Sequence, residues 1–307
     1  MKKVDKAVTG ILVVILIALA GFSVYIIKET ASARKTAAKL EKEIMQMESE
    51  AEDQEEAGKQ LQEEITFAKG KLEEARNADH SEEVPQNEAA PVSANGKKVA
   101  IDPGHQGYHV DMSDLEPMGP GSQEMKAKAT SGTQGRFTGV PEYELTLAVS
   151  MQLRQELETR GYEVLLTRQD NDTAVSNSER ALLAADFGAD IYVRIHANGS
   201  EDSGANGALA MVPSMENPYV SHLHEKSYAL GEHVINAYCQ SCGLANLGVQ
   251  LSDNMTGINW SQMPVMILEM GFMTNESDDV NMQNADFQVL MVQGIANGID
   301  QYFAAGN

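Results

Sequence analysis

Residues 7–27 form an unbroken apolar run, AVTGILVVILIALAGFSVYII, without a charged side chain. As a helix rising about 1.5 Å per residue, such a run reaches about 30 Å, the thickness of a bilayer's hydrocarbon core. Lys2, Lys3 and Lys6 precede it, which predicts a cytoplasmic N-terminus and export of the chain beyond residue 28. A cleaved signal peptide, with Ala31-Ser32-Ala33 as its cleavage site, is the alternative, but signal peptides carry a shorter apolar stretch. The reading is a single-pass membrane anchor over residues 1–28, with the rest of the chain extracytoplasmic.

From 29 to 76 the pattern changes to Ala, Glu, Lys and Gln, with apolar residues at alternating steps of four and three. Ala33, Ala37 and Leu40 begin the series and Ile65, Ala68 and Leu72 end it. That is a coiled-coil seam, weakened where Ala51, Gln54 and Gly58 occupy successive seam positions. It predicts a helical stalk that either pairs into a homodimer or serves as a single-helix spacer. Residues 77–96 have two prolines and no apolar period, the mark of a flexible linker.

Beyond residue 97 short apolar runs alternate with helical periods. Strands are predicted at 98–102, 162–167, 191–195, 207–212, 248–251 and 264–269. Helices are predicted at 142–160, 178–187, 222–238 and 282–303. Leu145, Val149, Leu153 and Leu157 place one face of the first helix in a core. Such alternation predicts one α/β domain over 97–307, with a mostly parallel sheet and helices on both faces. Sites in such sheets form past the carboxyl ends of the strands.

Charge narrows the function. The chain has 23 Lys+Arg against 45 Asp+Glu, a net charge of -22. A surface this acidic is repelled by phosphate backbones, so nucleic acid is excluded as a general partner. Two cysteines, Cys239 and Cys242, are too few for a disulfide scaffold or a four-cysteine zinc module. Outside the membrane they form a local disulfide or remain free thiols.

The candidate chemistry sits where the predicted strands end. The first runs into Asp102-Pro103-Gly104-His105, the third into His196-Ala197-Asn198, and the last reaches Glu269; Glu142 opens the first helix. A single His after a strand is ordinarily a hydrogen-bonding side chain, and a Glu at a helix start ordinarily complements the helix dipole. Glu269 differs, because an ionised carboxylate in VMILEMGF is costly unless paired, metal-bound or catalytic. Two His and one Glu make a three-ligand zinc set that leaves a position for water, and the remaining Glu can move the protons. Glu144 competes with Glu142 for the middle place, and spacing alone does not separate them.

At these residues the chain resembles the zinc-dependent N-acetylmuramoyl-L-alanine amidases. VAIDPGH, EYELTLAVS, LLTR, SERA, RIHANGS and LEMGFMTN carry the resemblance, in that order. It implies a six-stranded α/β domain and one zinc held by His105, Glu142 and His196, with Glu269 as catalytic acid/base. It also implies peptidoglycan as substrate, cut between N-acetylmuramic acid and L-alanine during wall remodelling or daughter-cell separation. A different zinc hydrolase of wall peptides and a non-catalytic wall-binding module are the alternatives. The chain departs from the family at Gln106 after the first His, at Arg194 where Ser is common, at Leu247 before Gly248, and in a long loop over 106–140. None of these departures removes a ligand.

Overall fold

The structure, a computed structural model, describes residues 96–306. The predicted anchor and stalk lie outside these residues, as does nearly all of the linker. Among the described residues no helix is long and apolar enough to cross a membrane.

The strands are β1 (Lys98–Pro103), β2 (Leu115–Pro117), β3 (Met125–Ala127), β4 (Glu163–Leu166), β5 (Ile191–Asn198), β6 (Ala208–Val212), β7 (Asn246–Leu251) and β8 (Val265–Phe272). The helices are α1 (Glu142–Thr159), α2 (Asn177–Phe187), α3 (His224–Cys242), α4 (Thr256–Asn259), α5 (Glu276–Gln283) and α6 (Ala285–Ala304). Six strands form one sheet in the order β4-β1-β5-β8-β6-β7. The pairing is parallel except between β6 and β8, so the expected mostly parallel α/β sheet is present.

Period-two alternation divides the strands between two cores. On β5, Ile191, Val193 and Ile195 face the larger core with α1, α3 and α6, where Leu153, Val234 and Ile295 are fully buried. Tyr192 faces the smaller core, with Ala181 and Ala184 of α2 and Ile258 of α4. Further along that second face the apolar residues stop, and Arg194 and His196 follow. On β8 the same face reads Val265, Ile267, Glu269. The smaller core thus covers only the amino-terminal half of its face and leaves the carboxyl half to polar chemistry.

Several bounds differ from the sequence expectation. β5 runs to Asn198, so His196 lies within the strand rather than past it, and β8 contains Glu269 as expected but runs on to Phe272. The final helix is two helices, broken at Asn284, whose side chain caps α6 by accepting from the Phe287 N–H at 3.0 Å. Helix α3 continues to Cys242, and both cysteines are buried free thiols. The 106–140 loop contains the β2–β3 hairpin. Trp260 donates to the Pro117 carbonyl at 2.9 Å, and Asp279 accepts from the Phe137 N–H at 2.8 Å, so residues far along the chain fix the loop.

Candidate active site

His105 follows β1 in a left-handed backbone conformation, φ 63°, unique among the described non-glycine residues. Such a conformation costs about 1–3 kcal/mol and needs outside support. Two buried arginines supply it. Arg168 donates to the Pro103 and Gly104 carbonyls, each at 2.9 Å, and Arg180 donates to those of Pro103 at 2.7 Å and His105 at 2.8 Å. Thr146, on α1, donates to the Gly104 carbonyl at 2.8 Å. A Cβ on Gly104 would lie 2.4 Å from the His196 ring, so only glycine lets β1 and that ring approach.

The His105 ring is then oriented by Thr130, whose carbonyl lies 2.8 Å from Nδ1. A proton on Nδ1 leaves the Nε2 lone pair facing the site. Glu142, at the first position of α1, is held by the Thr133 N–H at 2.8 Å on Oε2 and the Ala197 N–H at 3.0 Å on Oε1. Burial acts to raise its pKa, but the adjoining His105 and His196 rings hold the carboxyl well below the usual range. Burial pushes His196 down to about 4, which keeps the imidazole neutral.

Three ligand atoms meet: His105 Nε2 to Glu142 Oε1 at 3.0 Å, His196 Nδ1 to His105 Nε2 at 3.1 Å, and His196 Nδ1 to Glu142 Oε1 at 3.2 Å. A triangle of lone-pair atoms cannot be satisfied by one proton, whereas a cation satisfies all three at once. Tetrahedral zinc with bonds near 2.0 Å has ligand–ligand edges of about 3.3 Å, so the donor set fits. Glu144, two residues from Glu142, is exposed and is not part of the donor cluster. A Glu142→Ala variant is therefore expected to lose metal affinity and Glu144→Ala to keep it, as read by metal titration of the purified protein.

Glu269 pairs in register with His196 across β5 and β8. Its Oε2 is enclosed without a hydrogen-bond partner. Burial, together with the Glu142 charge, pushes its pKa up to about 8, while Arg194 opposes the shift. A cavity of about 800 Å³ opens over His105, Glu142, His196 and Glu269. The structure thus brings together all four residues singled out in the sequence. Sequence reasoning passed over Asp102, Arg168 and Arg180, the buried framework beneath them. Arg168 and Arg180 stand in LLTR and SERA, but nothing in those motifs marks a charged side chain as buried.

The sequence profile of the N-acetylmuramoyl-L-alanine amidases matches residues 99–301. The uncharacterised protein YqiI of Bacillus subtilis is 30% identical over 208 residues, covering 68% of this chain and 85% of YqiI. The probable cell wall amidase LytH of Staphylococcus aureus is 28% identical over 210 residues, 68% of this chain but only 60% of LytH. The crystal structure of the apo form of Ami1, the N-acetylmuramyl-L-alanine amidase of Mycobacterium abscessus, superposes with a TM-score of 0.62 at 26% identity. It covers 68% of this chain and 99% of Ami1. A profile match that spans both strands bearing His196 and Glu269 accounts for the sheet and the clustered residues together, and this chain belongs to the N-acetylmuramoyl-L-alanine amidase family.

Proposed function

We propose that the chain is a zinc-dependent amidase that cuts the bond between N-acetylmuramic acid and L-alanine in peptidoglycan, for wall remodelling or daughter-cell separation. The convergence of three ligand atoms within 3.2 Å of one another, beside an unpartnered carboxylate, carries this reading. His105, Glu142 and His196 would hold the ion. When bound there, zinc supplies Lewis acidity to the amide carbonyl and acidifies a coordinated water. Glu269 then accepts the proton of the attacking water and delivers it to the departing alanine nitrogen. The protein's own contribution is to fix these groups before substrate arrives, through the arginine-held β1 loop and the two N–H groups on Glu142.

The test is mass spectrometry of purified peptidoglycan after digestion, with and without chelator. Free L-alanine amino termini and glycan strands stripped of their stems are expected, and neither should form with chelator present. Cuts within the stem would make the chain a different hydrolase, and no cuts would make it a binding module. His105→Ala with His196→Ala should abolish the one zinc per chain read by elemental analysis; full zinc in that double variant rejects the ligand set.

We further propose that residues 1–28 anchor the protein in the membrane with the amidase domain outside, and that residues 29–76 form the stalk, as a homodimer or a spacer. The uncharged run 7–27 behind three lysines supports the anchor. Cell fractionation tests it: full chain in the membrane fraction, and release when residues 1–28 are deleted. Recovery of the full chain as a soluble protein would refute the anchor.

A further inference from the structure

Arg194 stands two residues before His196 on β5 and on the same face of the sheet, and its side chain lines the same cavity. It is only 4% exposed. Its Nε donates to Asp102 at 2.7 Å and its Nη2 to Asn177 at 2.8 Å, while Nη1 lies against Gly257. Gly257 makes this placement possible, since a Cβ there would lie 2.3 Å from Nη1. The loop before Gly257 also receives a second cation: Lys126, from the β2–β3 hairpin, donates to the Asn254 carbonyl. Lys126, Asn254 and Arg194 all line the cavity, and among the described residues no other Lys or Arg does.

Two cations from distant parts of the chain therefore line one cavity, in a protein of net charge -22. A carboxylate suits the planar fork of Arg, and Lys adds a point charge.

We propose that Arg194 and Lys126 form an anion subsite for a carboxylate on the second residue of the peptide stem, a reading that rests on the amidase assignment. The spacing supports it. Same-face residues two apart on a strand lie about 6.7 Å from each other. An extended peptide advances about 3.3–3.6 Å per residue. With the alanine amide against His196 and Glu269, a carboxylate carried by the following residue comes within reach of the Arg194 side chain. The subsite makes the enzyme selective for stems whose second residue is a free acid over stems in which it is amidated.

Titration calorimetry of the full chain in detergent tests this with two product tripeptides, L-alanyl-γ-D-glutamyl-L-lysine and its counterpart with the glutamyl α-carboxyl amidated. Both already carry the free alanine amine, so neither is turned over. Chelator is present throughout, so that no carboxylate binds to metal instead. The acid is expected to bind at least about tenfold more tightly than the amide, equivalent to about 1.4 kcal/mol. Lys126→Gln and Arg194→Gln should each shrink that gap to under about threefold. Equal binding of the two peptides by the wild-type chain overturns the subsite, as does an undiminished gap in the variants. Lys126 is outside the buried Asp102 cluster, so Lys126→Gln decides the matter alone if Arg194→Gln does not fold. Product analysis on intact peptidoglycan keeps the two readings apart. Cleavage at the muramoyl–alanine bond with no acid/amide gap removes the subsite only, whereas cleavage elsewhere removes the amidase assignment.

Discussion

Glu269→Gln should lower hydrolysis by about 10²–10⁴-fold, the range for losing a general acid–base group, while zinc content stays at the wild-type level. Gln keeps the shape and volume of Glu but cannot accept the water's proton. The surroundings favour a clean result. Oε2 is enclosed without a partner, and burial already pushes the carboxyl up to about 8, so a neutral side chain fits at least as well as the charged one. Thermal unfolding should therefore change little. Steady-state assay on purified peptidoglycan, elemental analysis and a melting curve together give the answer. Near-normal activity would reduce Glu269 to a structural carboxylate, and loss of zinc would make it a fourth ligand.

The second large effect is on stability. Asp102→Asn should cost about 3–5 kcal/mol, as expected when one partner of a buried ion pair is removed, measured by urea unfolding. Asp102 is fully buried and accepts from Arg180 and Arg194, each at 2.7 Å, and from the Thr167 hydroxyl. The variant leaves these guanidinium groups in the interior without their counter-charge. Burial acts to raise the Asp102 pKa, but the two arginines and Thr167 hold it well below the usual carboxylate range. A depressed folded-state pKa stabilises the fold above the unfolded value of about 3.9 and ceases to do so as pH falls through the folded value. Wild-type stability should thus decline progressively below about pH 4. Asp102→Asn, measured in chelator, should show a shallower decline. Equal acid sensitivity in the two proteins would rule out this ion-pair cluster as a source of the stability. Arg180 links this cluster to the site, because it donates both to Asp102 and to the His105 carbonyl. Metal affinity should accordingly fall in Asp102→Asn although Asp102 touches no ligand atom.

Much of this arrangement was legible in the amino-acid order. The alternation of strands and helices revealed the sheet, and Glu269 stood out because a carboxylate interrupts an apolar strand. The same interruptions hid the true strand ends. His196 and Glu269 break their apolar runs, so reading by hydrophobicity stops β5 and β8 several residues short; a functional residue there overrides local pattern. Asn284 was a cap signal inside a long apolar period, and the period prevailed in the reading. The antiparallel β6 left no local trace, because pairing direction depends on the path of the chain between strands. The burial of Arg168, Arg180 and Arg194 was invisible for a different reason. Arginine is mostly exposed in proteins, so only the folded structure shows these three beneath the site, each at most 4% exposed.

The hairpin in the 106–140 insertion makes the domain a natural candidate for a split protein. Its tip at Gly121 is exposed and left-handed, while both of its arms are tied down, through Trp260 to Pro117 and Lys126 to the Asn254 carbonyl. A backbone cut at that tip would leave β1 on the first fragment, lying in register between β4 and β5 of the second. His105 would belong to one fragment, and Glu142 and His196 to the other. Neither piece alone would hold the three candidate donors, so the appearance of metal binding on mixing would itself report that the two halves had found each other.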